Sequence, residues 1–241
     1  MTNVWRYAAL ALVLAVGSAA PVLSQRDWGQ QDHAASSQNV AGEFDYYALV
    51  LSWSPTHCSS PEASGDTLQC ERRDGRRYAF ILHGLWPQYD RGYPEFCRTQ
   101  RRPFVPQSLI DSMLDIMPSP RLVIHEYRTH GTCSGLDADG YYALSRKLFA
   151  SIRIPERYVN PFETQFVSPT TLKREFAAVN SGLTPDMIAV NCVRGPGNRL
   201  REVRICFAKD GRPTPCGANE NQDRLCRANE MTVPPVRSTR N

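Results

Sequence analysis

Apolar runs along this chain alternate with polar stretches, and both the strand period and the helix period are present. The strand candidates are short runs rich in aromatic and branched residues that end at turn-forming residues. They lie at residues 44–53, 76–86, 187–193 and 200–208. The helix candidates repeat apolar residues at helical intervals. They lie at residues 107–117, 122–130, 139–152 and 170–180.

The order of these elements predicts the fold class. Strands and helices occur in separate groups and do not alternate as in parallel β-α-β proteins. We therefore expect an α+β fold, with an antiparallel β-sheet flanked by helices in a single disulfide-stabilised domain. Gly131 directly follows the apolar pattern of residues 122–130 and is expected to end that helix in a left-handed turn.

The first residues have the pattern of a secretory signal peptide. Residues 1–24 contain one positive charge, Arg6, and an apolar, alanine-rich run that is too short for a membrane span. Cleavage is expected near the end of this range. Residues 25–43 are polar and predict a flexible leader, which includes His33. Residues 44–241 then form the domain, which we expect to be secreted or periplasmic and not attached to a membrane.

The cysteines and the net charge limit the possible classes of function only in part. All eight cysteines follow the predicted signal peptide, and an even number in an exported chain predicts disulfide bonds. The sequence alone leaves the many possible pairings open. The net charge of +4 is compatible with a polyanionic substrate but falls short of the basic stripe of a duplex-binding protein. Composition therefore permits nucleic acid as a substrate without demonstrating it.

Three of the five histidines lie in two short blocks. The first block places His83 at the end of a predicted strand, with Gly84 next to it and Trp86 three residues on. Histidine exchanges a proton near neutral pH. The glycine would let a substrate approach the backbone closely, and an indole can stack on a nucleic-acid base. This block therefore predicts a catalytic residue beside a binding surface.

The second block holds His125, Glu126 and His130 within six residues. On a helix, Glu126 and His130 would share one face, and His125 and Thr129 another, because residues four apart are neighbours. Partial burial beside a carboxylate would favour charged imidazolium, which suits phosphate binding. Two histidine blocks facing one substrate would supply an acid and a base, so we expect an enzyme.

A metal site is an alternative use of the same residues. Metalloproteases place two histidines at i and i+4. His125 and His130 are separated by one residue more, and on a helix they diverge by roughly 140°. His83 as a third ligand would complete a catalytic site, so a metal-dependent hydrolase stays open. His57, without carboxylate or aromatic company, is expected to be structural.

At these residues the chain resembles the ribonuclease T2 family, the secreted acid ribonucleases of low base specificity. The family's first active-site segment, HGLWP, is matched in full by residues 83–87. Its second segment reads HE, an aromatic residue, two variable positions and HGTC, and it is matched by residues 125–133. The strand end at residues 51–55, followed by Cys58, and Cys97 between the blocks agree as well.

The resemblance implies a role for each matching residue. His83 and His130 correspond to the acid–base histidines. His125 corresponds to the histidine that holds phosphate, and Glu126 to the carboxylate that supports the site. Trp86 corresponds to a base-stacking residue. The implied chemistry needs no metal and no cofactor.

The resemblance also implies four disulfide bonds and broad base specificity. The disulfide bonds would pair Cys58 with Cys70, Cys97 with Cys133, Cys192 with Cys226, and Cys206 with Cys216. Gln88 stands where some relatives have a carboxylate, and a neutral amide can both donate and accept hydrogen bonds. We therefore expect Gln88 to contact the substrate without fixing a favoured base.

One position departs from the family pattern. The family usually has Lys directly before the last histidine of the second block, whereas this chain has Thr129, with its cation one place earlier at Arg128. On a helix those two positions point about 100° apart. Losing a cation removes electrostatic stabilisation of the phosphorane, worth roughly a few kcal/mol. We therefore expect Arg128 and Thr129 to lie at the substrate, with activity weakened but not abolished.

Together these features predict a monomeric, secreted endoribonuclease that acts on single-stranded RNA. The 2′-hydroxyl of RNA would attack the scissile phosphate, with His130 as base and His83 as acid, and a 2′,3′-cyclic phosphate would form before the 3′-phosphate. DNA, which lacks the 2′-hydroxyl, would be inert. Besides the metal-dependent hydrolase, an RNA-binding module with weakened catalysis remains open because of Thr129.

Overall fold

The structure is a computed structural model that describes residues 39–72 and 77–236. The predicted signal peptide, residues 1–24, lies outside the described residues, as do His33 and most of the predicted leader. Within the part of the chain that the structure describes, no helix is both long enough and apolar enough to cross a membrane.

The end of the predicted leader is described, and it contacts the domain. Asn39 donates a side-chain hydrogen bond to the carbonyl of Glu95 at 2.8 Å. The backbone N–H of Gly42 donates to the carbonyl of Cys133 at 2.9 Å. The described end of the predicted leader therefore packs against the domain, and the domain bounds that the sequence indicated stay a prediction.

Within residues 39–72 and 77–236, six strands form two antiparallel sheets. The main sheet has the order β2-β1-β5-β4, and a small sheet pairs β3 with β6. The strands are β1 (Tyr46–Trp53), β2 (Phe80–Gln88), β3 (Gln165–Val167), β4 (Ile188–Cys192), β5 (Leu200–Ala208) and β6 (Met231–Val233). All eight residues of β1 are buried, so the centre of the main sheet is covered on both faces.

Helices surround this sheet, which confirms the predicted α+β class. The α-helices of the described residues are α1 (Ser54–His57), α2 (Thr67–Cys70), α3 (Gln107–Met113), α4 (Pro120–Thr129), α5 (Ala138–Ser151), α6 (Pro169–Val179) and α7 (Gln222–Leu225). Short 3-10 helices lie at Pro61–Ala63, Gly131–Ser134, Glu156–Tyr158, Pro185–Met187 and Ala218–Glu220.

The hydrophobic core lies on one face of the main sheet, where cross-strand pairs form two rows. The rows are Leu85–Leu49–Ile205–Ile188 and Leu82–Leu51–Val203–Val190. Each of these eight side chains is at most 2% exposed. They belong to the same cluster as Val123 of α4, Tyr141 of α5 and Phe176 of α6. The opposite face of the sheet is more polar, and it carries the candidate site.

The second strand lies later in the chain than the sequence predicted. Residues 76–86 were expected, whereas β2 is Phe80–Gln88. Its first residue pairs with Trp53, the last residue of β1, so no partner strand exists for earlier residues. The strand also continues through Pro87, which sequence reasoning places after a strand. This is tolerated because β2 is an edge strand, where a missing N–H breaks no ladder on the open side.

The first long helix is shorter than predicted. Apolar spacing indicated residues 107–117, but α3 ends at Met113. The carbonyl of Ile116 accepts a hydrogen bond from the N–H of Leu82 at 2.9 Å, so this segment turns towards β2 instead of continuing the helix. Strands β3 and β6 were not predicted, because three residues are too few to show an alternating pattern.

The prediction for Gly131 was wrong. It does not adopt a left-handed conformation, since the positive φ in this region falls at Gly135, at 78°. The chain continues from α4 into the 3-10 helix Gly131–Ser134. Glycine is required at position 131 for a different reason: a Cβ there would lie 2.5 Å from the ring of Tyr127.

Four disulfide bonds join the eight cysteines in the pairing that the resemblance implied. They are Cys58–Cys70, Cys97–Cys133, Cys192–Cys226 and Cys206–Cys216. The second of these joins the segment before α3 to the turn after α4. It therefore fixes the end of α4, where the second histidine block lies.

Candidate active site

A β-bulge in β2 places His83. Val50 of β1 pairs with Gly84 and Leu51 pairs with Leu82, so His83 is the extra residue. Strict alternation would put Leu82 and Leu85 on opposite faces of the strand. The bulge allows both leucines to face the core, and the His83 side chain points to the opposite side, where it remains 29% exposed.

Helix α4 carries the second histidine block, and the side chains of this block differ in their exposure to solvent. Glu126 and Thr129 are 1% and 3% exposed, and His130 directly after the helix is 7% exposed. His125 and Arg128 are exposed to solvent. Thr129 Oγ1 lies 3.5 Å from Nδ1 of His125, so these two residues share a helix face as the spacing predicted.

Glu126 lies at the centre of the site. Its Oε2 accepts a hydrogen bond of 2.7 Å from Nε1 of Trp86, and its Oε1 lies 3.5 Å from Nε2 of His83. Gly84 makes room for this arrangement, since a Cβ there would lie 2.0 Å from Oε2 of Glu126 and 2.6 Å from Nε1 of Trp86. The space above Gly84, which the sequence suggested for substrate, is therefore filled by the protein's own carboxylate and indole.

The indole of Trp86 joins the two blocks. Its ring centroid lies 5.3 Å from that of His83 and 5.0 Å from that of His130. The guanidinium of Arg204 lies over the same indole, 4.9 Å from its centroid. Trp86 thus packs against both candidate acid–base residues. Stacking of a substrate base on Trp86 stays a prediction.

A buried ionic network from β5 lies beneath His83. Glu202, 3% exposed, places Oε2 3.7 Å from Nδ1 of His83. Its Oε1 accepts hydrogen bonds from Arg204 at 2.7 Å and from Asn191 at 2.9 Å. Arg204 also contacts Glu220 at 3.3 Å. His83 is therefore held between two buried carboxylates, those of Glu126 and Glu202.

Burial and charge separate the pKa values of the two histidines. Burial lowers the pKa of His83, but the carboxylates of Glu202 and Glu126 outweigh it and hold that pKa above its ordinary value. Burial, with neighbouring positive charges of which His83 is the strongest, lowers the pKa of His130 to about 3. Within the described residues, buried Nδ1 of His130 has no hydrogen-bond partner to stabilise a proton.

The buried carboxylates also differ from each other. Burial raises the pKa of Glu126 to about 7, against the opposing charge of His83. Burial would raise the pKa of Glu202 too, but His83 and Arg204 together hold it well below its usual range. Glu202 is therefore the permanently ionised partner of His83, whereas Glu126 can change its charge near neutral pH.

The other residues that were predicted to bind the substrate are less favourably placed to contact it. Gln88 is 2% exposed, and its side-chain carbonyl accepts from Asn219 at 3.1 Å while its amide donates to the carbonyl of Pro87 at 3.0 Å. The Thr129 side chain is buried, and Arg128 lies on the exposed side of α4. Substrate contact by Gln88, Arg128 and Thr129 stays a prediction.

An exposed aromatic residue beside the site was missed by sequence reasoning. Phe96 is 64% exposed, and its backbone N–H donates to the carbonyl of Thr129 at 2.8 Å. Its φ of 50° lies in the left-handed region, which is strained for a bulky residue and is found mostly where the surroundings enforce it. The adjacent disulfide bond of Cys97 holds the segment in place. Nothing in the pattern of apolar and polar residues indicated this exposure.

Glu202 and Arg204 were also missed, although the sequence contains a partial signal. They alternate with Val203 and Ile205, so the pattern indicates a strand with one polar face. Nothing in that pattern shows that His83 and Trp86, from a distant part of the chain, cover this face. His57 has a carboxylate neighbour that the sequence did not indicate, because its Nε2 lies 2.9 Å from Oδ2 of Asp66. Its structural role stays a prediction.

Metal ligation was the open alternative for the histidines. Among residues 39–72 and 77–236, no three His, Cys, Asp or Glu side chains converge as metal ligands. His83 and His130 instead face the same indole, with the Glu126 carboxylate bonded to it.

Comparison with known proteins agrees with this geometry. The model of the ribonuclease T2 family matches residues 44–216. A ribonuclease of Aeromonas hydrophila is 36% identical over 203 residues, which cover 79% of this chain and 84% of that protein.

Solved structures of low sequence identity share the fold. An RNase-related protein from Calystegia sepium has a TM-score of 0.62 at 20% identity, covering 81% of this chain and 99% of that one. RNase NT in complex with 5′-AMP has a TM-score of 0.56 at 20% identity, covering 80% of this chain and 99% of that one. With the family model spanning most of the described domain, the chain belongs to the ribonuclease T2 family.

Proposed function

We propose that this protein is a secreted endoribonuclease that cleaves single-stranded RNA by metal-independent transesterification with low base specificity. The observation that carries the proposal is the pair of histidines packed on one indole, with one pKa raised and the other lowered. Two titratable groups whose environments push their pKa values apart are suited to be an acid and a base at the same pH.

The pKa directions support one assignment of the roles. His130 is neutral over nearly the whole working pH range, so it accepts the proton of the 2′-hydroxyl. The 2′-oxygen then forms a bond to phosphorus as the bond to the 5′-oxygen breaks. His83, whose pKa is raised by the carboxylates of Glu202 and Glu126, donates its proton to that leaving oxygen. The products are a 2′,3′-cyclic phosphate and a free 5′-hydroxyl. Water then opens the cyclic phosphate to the 3′-phosphate, as His83 takes a proton from the water and His130 returns one to the 2′-oxygen.

His83 is arranged to hold its proton without losing it to a neighbour. Its two ring nitrogens lie 3.5 and 3.7 Å from carboxylates, longer than a normal hydrogen bond. Both carboxylates stabilise imidazolium, and the exposed part of the ring leaves the proton available to the leaving oxygen. Glu202 acts in this scheme as a positioning residue, because it reaches the substrate only through His83.

Phosphate and base contacts follow from exposure. His125 is exposed beside the buried site and binds the scissile phosphate, while Glu126 fixes Trp86 and His83 by its central position. Phe96 offers an exposed ring next to Thr129 for base stacking, which accepts every base and so fits low specificity. The four disulfide bonds support an oxidising compartment, as in secreted or periplasmic proteins.

The test is cleavage of an unstructured RNA by the protein with its disulfide bonds intact, in excess chelator. New 2′,3′-cyclic phosphate ends support the proposal, and a DNA strand of the same sequence should stay intact. His83→Ala and His130→Ala should each lose about 10²–10⁴-fold in kcat/KM. His57→Ala, whose partner Asp66 belongs to another part of the surface, is the matched control and should keep activity.

Other outcomes would select the alternatives. Activity that chelator abolishes and zinc or magnesium restores would replace the proposal with a metal-dependent hydrolase. Binding of RNA without cleavage under any condition would indicate a binding module. Thr129, buried where the family usually has a lysine, is the observation that favours this second candidate.

A further inference from the structure

A second concave surface lies at the end of the main sheet where β1 meets α1. It has a cavity volume of about 650 Å³, within the range of ligand sites in proteins. Its lining includes Arg72, Arg77 and Arg199, with the hydroxyls of Ser59 and Tyr78. We call this surface the arginine groove. None of the residues of the candidate active site lines it.

The described lining of the arginine groove is basic. Among the residues that the structure describes, it contains three arginines and no Asp or Glu, although the chain as a whole has 28 basic and 24 acidic residues. Arg199 donates to the uncharged hydroxyl of Ser59 at 2.9 Å. Arg72 donates to the hydroxyl of Tyr78 at 2.8 Å and lies over its ring. Guanidinium groups of this kind bind phosphate oxygens through two parallel N–H donors.

A cation connects the arginine groove with the active site. Glu202 pairs with Asn191 and Leu200 pairs with Cys192, so Arg201 is the extra residue of a bulge in β5. Arg201 is exposed and directly precedes Glu202, whose carboxylate contacts His83.

Arg201 and Arg199 lie against the same loop. Arg199 bonds Ser59, and the charge of Arg201 acts on the pKa of both Glu62 and His83. Two residues of extended chain span about 7 Å. Arg201 therefore lies within electrostatic range of His83, and Arg199, two residues earlier in the chain, lines the arginine groove.

We propose that the arginine groove is a second RNA subsite, which binds a phosphodiester of the substrate strand away from the scissile bond. Arg201 guides the strand between the two sites. This inference rests on the proposed function, because the ligand is the same RNA. The groove adds affinity for long substrates, while the chemistry at His83 and His130 proceeds without it.

The test compares two substrates. The double variant Arg77→Gln/Arg199→Gln is assayed on a dinucleoside monophosphate, which fills only the active site, and on an unstructured oligoribonucleotide. The dinucleotide should be cleaved with unchanged kcat/KM. For the oligonucleotide, KM should rise severalfold, and the slope of log affinity against log salt should become less negative by about 0.7 per lost contact.

Arg174→Gln is the matched control. Arg174 is exposed, donates to the hydroxyl of Thr171 and does not line the groove, so the loss of its charge should leave both substrates unaffected. Equal losses on both substrates, or an unchanged oligonucleotide KM, would overturn the inference.

Binding of a non-cleavable deoxyoligonucleotide gives a readout that does not need catalysis. Weaker binding by the double variant supports the groove even if the wild type cuts no RNA, and equal binding overturns it. The proposed function and the groove can therefore fail separately.

Discussion

Replacing Glu202 by Gln tests whether the buried network sets the protonation of His83. The substitution removes one negative charge 3.7 Å from Nδ1 of His83 and keeps a side-chain oxygen for Arg204 and Asn191. Two unit charges at this distance interact by about 1 kcal/mol in a water-like surrounding and about 4 kcal/mol at the effective dielectric of a protein surface. Each 1.4 kcal/mol, roughly, is a factor of ten in the protonated fraction.

The sign of the effect follows from the cause. Glu202 raises the pKa of His83, so its removal lowers that pKa and deprotonates the acid at a lower pH. The high-pH limb of kcat/KM should move towards acid, and activity at neutral pH should fall about tenfold or more. Activity at acid pH, where His83 is still protonated in the variant, should fall much less.

The assay is the pH profile of kcat/KM on a dinucleoside monophosphate, with thermal unfolding measured at each pH. Glu175→Gln is the matched control, because Glu175, like Glu202, bonds an arginine, in this case Arg157. Its second partner is the hydroxyl of Tyr158. It lies in a network that does not touch His83. A loss of the same size at every pH, with the high-pH limb unmoved, would show that Glu202 only supports the fold.

The other predictions concern the base, the missing cation and the packing of the site. Because the pKa of His130 is lowered to about 3, the base stays neutral in acid, and the low-pH limb of kcat/KM should lie far below the ordinary histidine value; a limb near pH 6 would contradict this. Thr129→Lys should raise kcat by restoring a cation, and no rise would refute the cation argument. Gly84→Ala should cost about 1–3 kcal/mol of unfolding free energy and most of the activity, because its Cβ would collide with Glu126. Phe96→Ala should weaken the binding of all four bases alike by about 1–3 kcal/mol, seen as a higher KM, whereas Phe162→Ala, which removes a ring that is 76% exposed, should not.

The patterns within short continuous segments were enough to predict much of the candidate site. The two histidine blocks are continuous segments, and their helix and strand patterns place each side chain relative to its near neighbours. The spacing of α4 correctly put Thr129 beside His125, because a helix fixes the relation of residues four apart. The family resemblance, which also rests on short continuous motifs, correctly implied the four disulfide bonds.

The bulge at His83 was beyond sequence reasoning. A bulge depends on the register between β1 and β2, and only the pairing of Leu82 and Leu85 with the core row of β1 shows that one residue is extra. Gly84 was likewise expected to make room for the substrate, whereas the side chain of Glu126 occupies that space. Register is a property of two strands, so one strand's pattern cannot reveal it.

The sequence by itself determined the fold class, the enzyme family and the two segments in which the chemistry is proposed, because these depend on periodicity and on short motifs. Only the tertiary structure brought Glu202 of β5 to His83 and Arg204 of β5 to Trp86, and separated the pKa values of His83 and His130. A pKa depends on burial and on charges a few ångströms away in space. Those neighbours come from strands far apart in the chain, so they exist only once the sheet has formed.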